Sequence, residues 1–104
     1  MEFSSYLKKA IDPSSYKIGI AEFTSVSSKV LREPNKGHTI LKDYFSDKMR
    51  YKAIAEIMEE NKDSWEKMSI EDKEVLVKER EDKLWESIKK NGLAAFALIF
   101  GISI

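Results

Sequence analysis

The sequence predicts an all-α fold, with extended helices around a thin core and a C-terminal apolar helix that is transmembrane. Three observations lead to this prediction. Apolar residues recur every three or four positions through much of the 104-residue chain. Charged residues make up 35% of the chain and concentrate in a predicted helix that starts at Ser69. The final run, 93–104, carries no charge at all.

The amino-acid composition argues against several classes of function. Lysine and arginine total 18, as do aspartate and glutamate, so no overall field draws the chain onto nucleic acid. Without cysteine there are no disulfides, thiolate metal sites or thiol nucleophiles. With one histidine and no glycine-rich phosphate loop, the sequence predicts no enzyme activity, no cofactor and no metal site. The length fits at most one small domain.

The first segment, 1–38, is predicted to hold short helices followed by a loop. Within 1–11 the apolar residues share one helical face, which predicts a short helix docked on the surface; a mitochondrial transit segment is the alternative. A second helix is predicted over 20–32, where Phe23, Val26, Val30 and Leu31 recur at helical spacing. The polar stretch 32–38 predicts a loop, and its His38 is expected to be solvated because no second metal ligand lies nearby.

The second segment, 39–91, is predicted to be a charged helical body. Thr39 is placed to cap its first helix. Ser69 is placed to accept a hydrogen bond from the backbone three residues on, and acidic residues follow where the helix dipole is positive. For Trp85, packing in the core is an equal alternative to a role at an interface. Apolar side chains at helical spacing are the predicted interface anchors: Trp65, Leu76, Leu84, Trp85 and Ile88.

The third segment, 92–104, is predicted to be membrane-associated. It has no polar face, and Lys89 and Lys90 precede it as membrane-flanking lysines. Twelve helical residues rise only about 18 Å against a hydrocarbon thickness of about 30 Å. The segment is therefore half-inserted, buried against a partner, or the start of a span that continues past Ile104; a helix or strand filling a soluble core is the alternative. The predicted membrane residues are Leu93, Phe96, Leu98, Ile99, Phe100 and Ile102.

The block 65–76 resembles the region before the membrane span in cytochrome c oxidase subunit IV. That family is a non-catalytic shell around metal-bearing subunits, with one span and a matrix-side body. The resemblance implies an accessory subunit of a respiratory complex in the mitochondrial inner membrane. Its partners would be other subunits and the lipid bilayer, without nucleic acid or a small-molecule substrate. The matching residues are Trp65, Met68, Ser69, Asp72, Lys73 and Leu76, with Lys89 and Lys90 before the apolar run.

The stretch 65–90 is also similar to the HMG box, a family that binds DNA. Charge argues against this alternative, because phosphate binding needs a cationic face and seven acidic residues lie between Glu71 and Glu86. The basic N-terminal strand with an apolar wedge is also missing. A soluble helical module for protein–protein interaction is the remaining alternative.

Overall fold

In a computed structural model that describes residues 2–9 and 13–102, every secondary-structure element is helical. The all-α prediction is therefore confirmed. The described chain measures 45 × 24 × 23 Å, with a Cα radius of gyration of 14.2 Å, against about 13 Å for a compact domain of this size. The helices fold back on one another, so the expected extended arrangement gives way to a compact bundle. The helices are α1 (Phe3–Lys9), α2 (Ile20–Arg32), α3 (Gly37–Glu60) and α4 (Ile70–Phe100), with 3₁₀ turns at Pro13–Tyr16, Pro34–Lys36 and Trp65–Lys67.

The helix α1 docks on α3 through the apolar face that its spacing predicts. Tyr6 is buried, while Phe3 and Leu7 are half-buried beside it. The Tyr6 hydroxyl donates a hydrogen bond of 2.6 Å to Asp47 Oδ1. This bond, together with burial, raises the pKa of Tyr6, because both disfavour a phenolate next to a carboxylate. The predicted continuation of the helix to residue 11 lies outside the described residues.

The helix α2 has the predicted bounds, 20–32, but one apolar residue differs from the expected pattern. Phe23, Val26 and Val30 are buried against α3 and α4. Leu31 was expected on the same face, yet it is 71% exposed. Each residue advances about 100° around a helix. Leu31 therefore points away from the face that carries Val30.

The helix α3 starts earlier than predicted, so the expected cap at Thr39 is wrong. The 3₁₀ turn Pro34–Lys36 runs directly into α3, and the Gly37 N–H donates to the Pro34 carbonyl. A Cβ atom on Gly37 would lie 3.0 Å from Val30 Cγ1, so this position fits a residue without a side chain. His38, expected in a loop, instead lies half-buried in the first turn of α3.

The helix α4 starts as predicted and breaks at Gly92. The Ser69 hydroxyl accepts a 3.1 Å hydrogen bond from the Asp72 N–H, which confirms the predicted N-cap. Gly92 has φ +66° and ψ −146°, a conformation that residues with a side chain rarely adopt. Helical geometry resumes after Gly92, and α4 ends at a second left-handed glycine, Gly101. There the Ile102 N–H donates to the Ala97 carbonyl, as in a Schellman cap.

The bundle has two apolar cores arranged along its length. The tail core forms where α2, α3 and the end of α4 meet. The other, the α1 core, consists of the buried residues Tyr6, Tyr51, Ala53, Ile54, Ile57, Trp65 and Val77. Leu84 packs against both cores. Side chains from 1–38, 39–91 and 92–104 all enter the tail core, so these three segments share one interior. Its buried residues are Ile18, Phe23, Val26, Val30, Leu41, Phe45, Met49, Trp85, Ile88, Ala95, Phe96 and Ala97.

Candidate functional site

The apolar run that the sequence assigns to a membrane packs largely within this chain. Phe96 has no exposed surface. Its ring centroid lies 5.9 Å from Phe23, 5.1 Å from Phe45 and 4.9 Å from Phe100. Leu98 is 83% exposed. Within residues 2–9 and 13–102, no helix combines the length and hydropathy needed to cross a bilayer. The other predicted membrane residues are half-buried against the tail core: Leu93, Ile99, Phe100 and Ile102.

The predicted interface anchors also face the interior of this chain. Trp65 is buried in the α1 core, and Lys73 Nζ lies 4.7 Å from its ring centroid. Trp85 and Ile88 are buried in the tail core, as the packing alternative for Trp85 expected. Leu76 and Leu84 are half-buried at the edges of the cores. Trp65, Trp85 and Ile88 therefore leave at most 6% of their surface exposed, while Leu76 and Leu84 keep part of theirs exposed. The predicted membrane-flanking residues Lys89 and Lys90 are exposed.

A groove of about 580 Å³ opens between the end of α2, the start of α3 and the break in α4. We call it the α2–α4 groove. Its volume lies within the range of about 300–1,000 Å³ that is typical of sites for ligands. Five branched apolar side chains line it, and Leu31 is the exposed one among them. The lining residues are Val30, Leu31, Pro34, Asn35, Gly37, His38, Thr39, Leu41, Ile88, Lys89, Gly92 and Leu93.

Two glycines and a short turn create the groove. The turn Pro34–Lys36 leaves α2 and α3 close together, and the absent side chain of Gly37 permits that approach. The helix α4 breaks at Gly92, which lines the groove beside Leu93, and Leu93 packs against the tail core. Sequence reasoning missed this site because it grouped Leu31 with the apolar residues Phe23, Val26 and Val30 of the predicted helix. The two glycines were the available signal.

The groove combines an apolar wall with one exposed cation, Lys89. Lys89 lines it, and its lining residues include no carboxylate. Nearby, Lys36 forms an ion pair with Glu33, and Lys29 and Arg32 line a separate recess together with Glu33 and Asp43. The first turn of α3 has no acidic residue and no capping side chain, so the positive end of its dipole is not neutralised there. The His38 ring meets the Trp85 ring edge-on, with centroids 5.8 Å apart.

The Arg80 cluster joins α3 to α4 away from the groove. Arg80 Nη1 lies 2.7 Å from Glu56 Oε1 and 2.6 Å from Glu60 Oε2. These hydrogen bonds raise the pKa of Arg80 and lower the pKa of Glu60, because each charged form stabilises the other. The guanidinium is thus occupied by carboxylates of its own chain. No group of three histidine, aspartate or glutamate side chains in the described part of the chain is arranged to hold a metal ion.

Comparisons of the chain with protein-family models, with curated proteins and with solved structures find no match. The resemblance of 65–76 to oxidase subunit IV and that of 65–90 to the HMG box therefore stay predictions.

Proposed function

We propose that this chain is a non-catalytic helical module that binds another protein through the α2–α4 groove. The observation that carries the proposal is Leu31, 71% exposed at the edge of a concave apolar wall. Scattered exposed apolar residues are ordinary on protein surfaces, but concave apolar sites with few polar groups are typical of binding sites. Burying a leucine side chain contributes about 1.5–3 kcal/mol. A partner that covers Leu31 gains this free energy.

The chemistry of the lining favours binding over catalysis. Its titratable side chains are His38 and Lys89, and His38 packs against Trp85. General acid–base or nucleophilic catalysis needs a reactive group within hydrogen-bond reach of a base. The groove offers a concave surface with apolar side chains beside one exposed lysine, and such features suit recognition.

The predicted place in a respiratory membrane complex rests on the uncharged apolar run 93–104 and on the resemblance of 65–76. Phe96 from that run fills the tail core, so this support is weakened. The oxidase subunit assignment stays a prediction. A position inside a larger complex would be one instance of the proposed binding function.

Site-specific photo-crosslinking tests the proposal in the organism that encodes the chain. The photoreactive residue p-benzoylphenylalanine replaces Leu31 in one variant and Leu98 in a control variant. Both leucines are highly exposed, and only Leu31 lines the groove. We expect a discrete protein adduct from position 31 that excess unlabelled chain suppresses, and no such adduct from position 98.

Three outcomes contradict the proposal. The first is no discrete adduct from position 31. The second is the same set of adducts from both positions. The third is adduct formation with membrane proteins from position 98 alone, which would favour the membrane-complex prediction. A salt-sensitive shift of duplex DNA without any protein adduct would favour the HMG alternative.

A further inference from the structure

We infer that the partner places an amphipathic helix with acidic flanking residues in the α2–α4 groove. This inference rests on the proposed function and specifies the chemistry of its partner. Two properties of the groove carry it: the shape of its apolar wall and the sign of the charge around it.

The shape of the groove favours a helix over a flat surface. The recess has a volume of about 580 Å³, with Leu31, Leu41, Ile88 and Leu93 in its wall. A helix presents apolar side chains at positions i, i+3 or i+4, and i+7, and such rows fill apolar grooves between helices in many complexes. A bilayer surface is broad and cannot follow a recess of this size. The occupant is therefore a protruding row of side chains on a polypeptide.

The charge of the groove favours acidic residues beside that row. Lys89 is exposed at the wall, and the lining holds no carboxylate that would neutralise it. Lys36 pairs with Glu33 and Lys29 with the Tyr44 hydroxyl, so Lys89 is the cation that the lining itself presents. The start of α3 adds the positive end of a helix dipole without an acidic residue in its first turn. Complementary charge of this kind selects partners and speeds their encounter.

Nucleic acid and small amphiphiles fit less well. Binding to a phosphate backbone needs several cations in a row, and the groove lining provides one lysine. An amphiphile inside the recess would leave most of Leu31, which lies at its edge, exposed. Binding of nucleic acid or of an amphiphile in the groove, without selection of a helical peptide, would therefore overturn the inference.

A displayed library of amphipathic helices tests the inference with the full chain. Peptides of about 18 residues, or five turns, carry fixed leucines at i, i+3 and i+7. Their flanking positions are drawn from Asp, Glu, Ser, Lys and Arg. We expect the selected peptides to be enriched in Asp and Glu. Synthetic versions of the best peptide are then measured by fluorescence anisotropy at low and high salt.

Three variants make the result specific to the groove. Leu31→Ser should weaken binding of the best peptide by about tenfold, because the lost contact lies at the wall. Lys89→Glu should weaken it by about tenfold at low salt, less at high salt, and should shift the selected flanks toward Lys and Arg. Leu98→Ser, an exposed leucine outside the groove, should leave binding unchanged. Circular dichroism verifies that each variant stays folded.

The inference is overturned by enrichment of basic flanks, by no enrichment at all, or by binding that ignores both Leu31 and Lys89. It is also overturned where dodecanoate or duplex DNA binds the groove and no peptide family is selected. If position 31 gives a discrete crosslinked partner but no acidic peptides are selected, the inferred acidic helix is refuted and the proposed protein binding stands. Absence of both results refutes the proposed function as well.

Discussion

Truncation of Phe96 to alanine tests whether the apolar run belongs to the core of this chain. Phe96 has no exposed surface and packs against the rings of Phe23, Phe45 and Phe100. The substitution removes an aromatic side chain from a site enclosed by three helices. If the run instead served a bilayer or a foreign subunit, the isolated chain would not depend on this ring.

The expected loss is large relative to the stability of a chain of this size. Replacing a buried phenylalanine with alanine typically costs about 3–5 kcal/mol, since a cavity remains. The whole domain is stable by about 5–15 kcal/mol. A loss of about 4 kcal/mol lowers the Tm by roughly 15–30 °C in a domain of about 100 residues. Phe96→Leu, which keeps most of the apolar volume, should cost about 1.5 kcal/mol.

Urea unfolding monitored by circular dichroism provides the measurement. With a slope of about 2 kcal/mol per molar urea, the midpoint of Phe96→Ala should fall by about 2 M. Leu98→Ala is the matched control, because Leu98 is 83% exposed in the same stretch. Its free energy of unfolding should change by about 0.5 kcal/mol or less. A Phe96→Ala variant within about 1 kcal/mol of the wild type would refute the placement of this ring in the core.

Three further predictions concern the helix ends and the Arg80 cluster. Gly92→Ala should reduce the free energy of unfolding by about 1–3 kcal/mol, because alanine is strained at φ +66°; Gly19→Ala, at φ −71°, should cost far less. Ser69→Ala should cost about 1 kcal/mol through loss of the N-cap bond, and Ser69→Asp should recover it. Arg80 lowers the pKa of Glu60 from 4.5, so this ion pair stabilises the fold above that pH and loses its effect as the pH falls through the lowered pKa. The stability difference between the wild type and Arg80→Gln should therefore shrink in acid, as thermal unfolding across pH 3–7 will measure; a constant difference would contradict this role.

Local features of the fold could be predicted from the sequence. The spacing of Phe23, Val26 and Val30 predicted α2, because helical periodicity can be read from residues that are close together in sequence. The Ser69 cap was predictable for the same reason, since a hydroxyl and the backbone three residues on suffice to form it. The start of α3 could not be predicted, because the turn Pro34–Lys36 is compatible either with a loop or with a direct entry into a helix.

Where the apolar run 93–104 packs depends on contacts between residues that are distant in sequence. The hydrophobic effect is non-directional, so residues 93–104 satisfy it equally in lipid, in a partner or in their own domain. The rings of Phe23 and Phe45 that receive Phe96 lie about half the chain or more away from it. Gly92 signalled a helix end, yet its backbone changes the direction of α4 and the helix resumes. The groove escaped sequence analysis because it exists only when these separate segments meet.

The arrangement of the α1 core and the tail core along α3 and α4 has a consequence for local stability. Leu84 is the side chain that packs against both cores. Opening of one end then need not unravel the other, which is the behaviour of separate cooperative units. We expect amide hydrogens of α1 to exchange with solvent in local opening events that leave the amide hydrogens around Phe96 protected. The end of the bundle that carries α1 would then open before the end that carries Phe96.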